Sequence, residues 1–299
     1  MTHSIRGSKA PRFPSFAKGK GMAKAQTTAT KSRRKPGKKQ RMLAAVTGAS
    51  AGIGESFARE LAKRGWDLLL VARRKQRLEK LAAELRADHG CRVDILAADL
   101  TRPAALRRVE DALSASRRLG LLVNNAGMGD FGVFSKSDRD REESEIRLNT
   151  IAVVRLTHAA LPGMVRRKSG SIINVSSTAG FAPCPNFATY GATKAFLNSF
   201  TEALHEELAD SGVAVQALCP GLTHTEIFEA AGTDTSGLPE FLWMESEDVV
   251  IESLNALETG TVVCVPGLGN RALSTLARML PHIVGSRFAS IFGSQMKEK

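Results

Sequence analysis

Tyr190 is the only tyrosine in the 299-residue chain, and Lys194 follows four residues later in the stretch "YGATK". Thirteen phenylalanines show that rings are not scarce here, so the single phenolic hydroxyl invites a chemical explanation. At that spacing on a helix the two side chains share a face. A free phenol, with a pKa of about 10, is a poor base at neutral pH. A lysine cation ~5 Å away, at an effective dielectric of ~20, favours the phenolate by roughly 3 kcal/mol, or about two pKa units. The expectation is a tyrosine tuned toward working pH for proton transfer. The plainer alternative is a half-buried ring beside a solvated lysine, and the remaining motifs decide between the two. Ser177 ends the apolar run "SIINVSS". At the carboxyl end of a central strand its hydroxyl would face a reacting oxygen and stabilise charge developing there.

A second cluster suits a different task. "VTGASAGIGESFA" follows the first strand and opens the first helix, with Gly48, Gly52 and Gly54 spaced GxxxGxG rather than GxGxxG. Small residues let the backbone turn tightly and approach a pyrophosphate at a helix N-terminus. A structural tight turn would look similar, but the position in the first βα unit favours a dinucleotide. No GK[ST] follows, which excludes a nucleoside-triphosphate loop. The second strand runs into "VARRKQR", with Ala72 at the position where NAD binders carry an acid, then Arg73 and Arg74. A carboxylate there would repel a 2′-phosphate, whereas a guanidinium binds one bidentately. A basic first turn is also mildly unfavourable against the helix dipole, so a ligand phosphate is the better explanation. The expected coenzyme is NADP(H).

Positioning these groups requires a particular scaffold. Short apolar runs at 43–46, 67–72, 93–97, 121–125, 171–177, 213–218 and 261–265 alternate with helical stretches of i, i+3, i+4 period. Strands apolar on both faces, separated by amphipathic helices, predict a parallel sheet covered on both sides. The predicted fold class is α/β: one doubly wound, Rossmann-type domain over residues 42–299 with a seven-stranded parallel sheet.

Taken together, "TGASAGIG" (47–54), "AADL" (97–100), "NNAG" (124–127), "LNT" (148–150), "INVSS" (173–177), "YGATK" (190–194) and "PGLTHT" (220–225) resemble the short-chain dehydrogenase/reductase family from about Met42 to Gly267. The resemblance implies a catalytic tetrad of Asn149, Ser177, Tyr190 and Lys194, with Asn149 holding a water that links Lys194 to solvent. It also implies coenzyme contacts from Gly48, Ser50, Gly52, Ile53 and Gly54 in the turn, and from Arg73 and Arg74 after the second strand. Asp99 with Leu100 would hold the adenine, and Asn125, Ala126 and Gly127 the floor of the site. Pro220, Gly221, Thr223 and Thr225 would hold the nicotinamide carboxamide, beside Tyr190 and Lys194. The implied activity is NADP(H)-dependent hydride transfer between the nicotinamide and a carbonyl or alcohol, in a homo-dimer or homo-tetramer.

Substrate choice is expected between residues 225 and 247, a lid with Phe228, Leu238, Phe241, Leu242, Trp243 and Met244 for contact, aided by Met128 and Phe131. Apolar and mobile, it suits a lipophilic small molecule. An amphipathic segment at about 270–292, with Leu276, Leu280, Ile283 and Val284 beside Arg271, Arg278 and Arg287, suits packing on the domain or a sister subunit, and secondarily a membrane surface.

The net charge of +12 resembles that of a nucleic-acid binder until it is divided. Residues 1–41 carry thirteen of the 42 Lys and Arg and no acid, which leaves 29 basic against 30 acidic residues elsewhere. That stretch reads as a disordered basic tail without the apolar core of a secretory signal. Met22, opening "MAKAQ", offers a second start. The tail supports weak polyanion or peripheral membrane contact but no specific nucleic acid. A competing function class is an NADP(H)-binding module that works through nucleic-acid or membrane association of this tail. Four scattered cysteines without CxxC suggest free thiols in a reducing cytoplasm, and no His/Cys cluster suggests a metal.

Overall fold

The computed structural model describes residues 41–279 together with 297 and 298. Residues 1–40 of the stretch 1–41 read above as a basic tail, and the end of the amphipathic segment, with Leu280, Ile283, Val284 and Arg287, lie outside the described residues.

Strands β1 (Leu43–Thr47), β2 (Asp67–Ala72), β3 (Val93–Ala97), β4 (Leu119–Asn124), β5 (Gly170–Val175), β6 (Val213–Leu218) and β7 (Val263–Cys264) form the main sheet. Every pairing is parallel and the order is β3–β2–β1–β4–β5–β6–β7, the expected seven-stranded doubly wound sheet. Two boundaries differ from the expected ones in a way that matters. β5 stops at Val175, which leaves Ser176 and Ser177 beyond the last rung, and β7 shrinks to two residues.

Between the strands come α1 (Gly52–Lys63), α2 (Lys75–His89), α3 (Pro103–Ala115), α4 (Arg139–Ile146), α5 (Ala152–Arg167) and α6 (Ala188–Glu207). After β6 follow the single-turn α7 (Ile227–Ala230), then α8 (Ser246–Glu258) and α9 (Leu268–Met279). Period two divides each strand between the two layers. Leu68 and Leu70 face Phe57, Leu61, Leu78 and Leu254 from α1, α2 and α8. Leu69 and Val71 face the opposite layer, where Leu106, Val109, Leu156 and Met164 project from α3 and α5. Both layers are built from buried side chains, each of which contributes roughly 1.5–3 kcal/mol by burial.

Helix ends follow local chemistry. Pro103 starts α3, where its missing N–H costs nothing. Gly90 ends α2 at φ 56°, a left-handed conformation that a side chain would resist. The Asp138 carboxylate accepts from the N–H groups of Asp140 and Arg141 at 2.8 and 2.9 Å and caps α4. Between α4 and α5 the helix widens into a π turn, Arg147–Ile151, a feature that frequently marks functional sites. The strand order reverses between β1 and β4, and in such sheets ligands bind beyond the carboxyl ends of the strands at that reversal.

Candidate active site

At that reversal a cleft of about 790 Å³ opens across the sheet. One end is the turn between β1 and α1. Gly48 has φ +67°, and a Cβ on it would come within 2.7 Å of Asn125 Nδ2 and 2.9 Å of Ala126 Cα. A Cβ on Gly54 would strike the Gly48 carbonyl oxygen, so this glycine lets α1 pack onto the turn rather than lining the cleft. Ala51 precedes α1 and no side chain caps the helix, so the first-turn N–H groups have no side-chain partner. This uncapped N-terminus, against backbone that only glycine permits, fits a pyrophosphate. Ser50, Gly52 and Ile53 line the same end.

Thr47, unassigned in the sequence reading, ties this turn to its neighbour. Its buried hydroxyl accepts from the N–H groups of Asn125 and Ala126, both at 3.0 Å, and donates to Val123 O at 3.3 Å. Asn125 in return donates from Nδ2 to Thr47 O at 2.9 Å. The carboxyl ends of β1 and β4 are therefore locked together, and Ala126 and Gly127 are laid along the cleft floor.

At the ends of β2 and β3, Arg73, Arg74, Asp99 and Leu100 line the cleft. Arg74 donates from Nε to Ser50 Oγ at 3.1 Å. Asp99 Oδ1 accepts from Thr101 N–H at 3.0 Å and from its hydroxyl at 2.7 Å. Burial opposes these bonds, yet with Arg73 and Arg102 nearby the carboxyl stays below its ordinary pKa. One oxygen of Asp99 thus serves its own turn.

Beyond β5 stands Ser177, and on α6 stand Tyr190 and Lys194. Lys194 is buried and donates from Nζ to Val175 O at 2.9 Å, while Ser176 Oγ donates to Lys194 O at 2.9 Å. Nζ lies 5.4 Å from the Tyr190 ring centroid, and the phenol hydrogen-bonds Ser177. The expected downward tuning of Tyr190 is not what this protein does. Burial pushes the phenol up to about 12, against a smaller lowering by the Ser177 hydrogen bond. Burial likewise pulls Lys194 down to about 8, with Glu145 and Cys219 acting in the opposite sense. Desolvation is the largest cause for both groups, so the tyrosine holds its proton as a donor rather than as a nascent phenolate.

Asn149 sits in the π turn behind the cleft and does not line it. Its Oδ1 accepts from Met128 N at 3.1 Å, and Nδ2 donates to Met128 O at 2.8 Å and Thr193 Oγ1 at 3.1 Å. Both amide hydrogens are engaged in fastening the loop after β4 to α6. Next to it, wholly buried Glu145 was missing from the sequence reading. Its Oε2 accepts from Asp130 N at 2.8 Å and its Oε1 has no partner. Burial raises its carboxyl to about 7. Nothing in "REESEIRLN" marks one glutamate among several as buried.

The far wall is apolar. Phe131 packs on Phe187 at 4.7 Å and, edge-on, against Tyr190 at 5.5 Å. Phe228 adjoins Phe131 at 5.5 Å and is backed by Trp243 at 5.6 Å. Of the lid residues expected to make contact, Phe228 and Leu242 reach the cleft, Leu238 turns into the body, and Phe241 is 84% exposed. Met244 donates its N–H to Leu222 O and accepts from His224 N–H, which closes the lid's base. Pro220, Gly221, Thr223 and Thr225 line the cleft beside it. Asn270, Leu273, Ser274 and Leu276 of α9 complete the wall, so the described part of the amphipathic segment packs over the cleft of its own domain.

Among the described residues no His, Cys, Asp and Glu cluster could hold a metal, and no helix is long and apolar enough to cross a membrane. Cys91, Cys184 and Cys264 are free thiols.

Comparison with known proteins agrees with this geometry. Residues 42–236 match the family of short chain dehydrogenases. The chain is 32% identical over 255 residues to hydroxysteroid dehydrogenase-like protein 1 of Gallus gallus, covering 83% of this chain and 75% of that one. It is 36% identical over 188 residues to the very-long-chain 3-oxoacyl-CoA reductase of Bos taurus, covering 62% of this chain and only 60% of the relative's length. Among solved structures, a short-chain dehydrogenase from Sphingobium yanoikuyae in complex with NADPH superposes with a TM-score of 0.73 at 42% identity. That superposition covers 80% of this chain and 96% of the other. With sequence match, sheet order and cleft in agreement, the chain belongs to the short-chain dehydrogenase/reductase family of oxidoreductases acting on CH–OH and C=O groups.

Proposed function

We propose that this protein is an NADP(H)-dependent reductase of a lipophilic ketone or aldehyde, reversible as an alcohol dehydrogenase. The observation that carries it is the shared cleft: the glycine turn and arginines at one end, Ser177, Tyr190 and Lys194 in the middle, and an aromatic and aliphatic wall at the other. The turn and uncapped α1 would hold the pyrophosphate, and Arg73 and Arg74 the 2′-phosphate, which supports NADP(H) over NAD(H). The NADPH in the Sphingobium relative points the same way. Bound NADPH supplies a hydride for the carbonyl carbon. Ser177 and Tyr190 hold the carbonyl oxygen between two hydroxyl donors, polarising it. Tyr190 gives its phenolic proton to that oxygen as negative charge develops there, acting as general acid. The Lys194 ammonium stabilises the phenolate left behind. Asn149, its amide spent on Met128 and Thr193, contributes by fixing the cleft floor. Phe131, Phe187, Phe228, Leu273 and Leu276 favour an apolar substrate, as do the names of the two curated relatives. The free thiols of Cys91, Cys184 and Cys264 support a reducing, cytoplasmic setting.

Tyr190→Phe tests the mechanism, because it removes one oxygen and keeps the ring. NADPH should still bind, while kcat for reduction of a bulky ketone falls by roughly a hundredfold or more. A Phe variant that binds NADPH and turns over at the parent rate contradicts the proposal.

A further inference from the structure

The guanidinium of Arg74 has a second claimant. Its Nη1 lies 2.6 Å from Glu226 Oε2, and Arg77 Nη1 lies 2.6 Å from Glu226 Oε1. One carboxylate therefore bridges two arginines of the α2 region. Glu226 comes from the root of the lid, next to Thr225, and Thr225 rests on the phosphate turn. A Cβ on Gly52 would lie 2.9 Å from Thr225 Cγ2. The same Arg74 holds Ser50 through Nε, so a single side chain links the turn, the end of β2 and the lid. The fold does not use these ions for packing, since the side chains of Arg74, Arg77 and Glu226 are 43, 51 and 43% exposed.

A carboxylate bridging two guanidiniums presents the charge and paired acceptor oxygens that a phosphate would present in the same place. Resting on the NADP(H) reading above, we propose that Glu226 is a latch that stands in for the 2′-phosphate and must be displaced from Arg74 when a 2′-phosphorylated nucleotide binds. The exchange replaces one anion by another on the same cation, and it releases the root of the lid. A nucleotide without the phosphate has nothing to offer Arg74 and leaves the latch shut. Glu226 is thus a coenzyme-discriminating residue as well as a lid fastening. Hydrogen bonds from Arg74 and then Arg77 hold its carboxyl below the ordinary range, so the latch is ionised at neutral pH.

The test is calorimetric titration of the full chain and of Glu226→Gln with 2′,5′-ADP and with 5′-AMP. Wild type should bind 2′,5′-ADP the more tightly. Glu226→Gln should tighten 2′,5′-ADP by roughly two- to tenfold, the range that one or two half-exposed ion pairs supply, and leave 5′-AMP within about twofold. Unchanged or weaker 2′,5′-ADP binding in the variant overturns the latch and leaves the coenzyme reading standing. Equal tightening of both nucleotides also overturns it, because the lid would then act on the adenosine rather than on the phosphate. A wild type that does not distinguish the two nucleotides overturns the NADP(H) reading itself, and the latch with it.

Discussion

Glu145 shows what a single buried carboxyl does to this site. It has no exposed surface, one oxygen holds the Asp130 N–H, and the other is unpartnered. Lys194 on α6 faces it as the favourable charge, while Glu142 on its own helix and Asp130 on the adjoining loop oppose ionisation. Burial dominates, and the folded group keeps its proton to about 7 against an ordinary value of 4.5. Between those pH values the folded chain binds a proton that the unfolded chain has released, so stability falls as pH rises through this window. Lys194 shows the complementary case: burial lowers it from 10.5 to about 8, so between those values the folded chain has released a proton that the unfolded chain keeps, and stability rises with pH through that window. Glu145→Gln retains an acceptor for Asp130 and carries no charge. It should flatten the pH dependence between about 5 and 7 and gain on the order of 1–3 kcal/mol over wild type at pH 8. Urea unfolding at pH 5 and pH 8 measures this directly, and equal slopes for both proteins would refute it.

At the scale of elements, the joint between β1 and β4 fixes the floor of the cleft through one hydroxyl. Thr47→Val keeps the shape but leaves the N–H groups of Asn125 and Ala126 without their acceptor. Each such orphan costs about 1–3 kcal/mol, so a loss of roughly 2–4 kcal/mol in urea unfolding is expected. Thr47→Ser keeps the oxygen and should stay within about 1 kcal/mol of wild type. The same joint shows what was legible in the sequence. The strands could be read because burial on both faces leaves unbroken apolar runs, as in "DLLLVA". The phosphate turn and the Tyr190–Lys194 pair could be read because their chemistry is local. Thr47 reaching Ala126, Glu145 facing Lys194 and Glu226 closing on Arg77 join residues that are far apart in the chain, and no period records them. The π turn was equally silent, since "RLNTI" reads as uninterrupted helix. The upward shift of Tyr190 escaped for a related reason: a pairwise charge argument omits the burial that only the assembled cleft imposes.

For the whole molecule, charge and chemistry separate along the chain. Residues 1–40 hold twelve Lys and Arg and no acid, so without them 30 basic residues face 30 acidic ones. Every residue proposed for coenzyme or proton transfer lies between Gly48 and Glu226. The family match begins at residue 42, after the basic stretch. If reduction is the function and the basic stretch an accessory, deleting residues 1–40 should leave kcat/KM for a bulky ketone within about twofold, the size of change expected from surface alterations remote from a site. The same deletion should abolish retention on heparin or anionic vesicles, because polyanion binding scales with the number of cations and weakens steeply with salt. Full-length and shortened proteins therefore go through two assays, NADPH oxidation across a panel of ketones and salt-dependent vesicle binding. Turnover lost with the tail would place residues 1–40 in the catalytic unit. Absence of turnover in both forms, with tight salt-sensitive binding by the full chain alone, would make coenzyme binding serve association and displace reduction as the function.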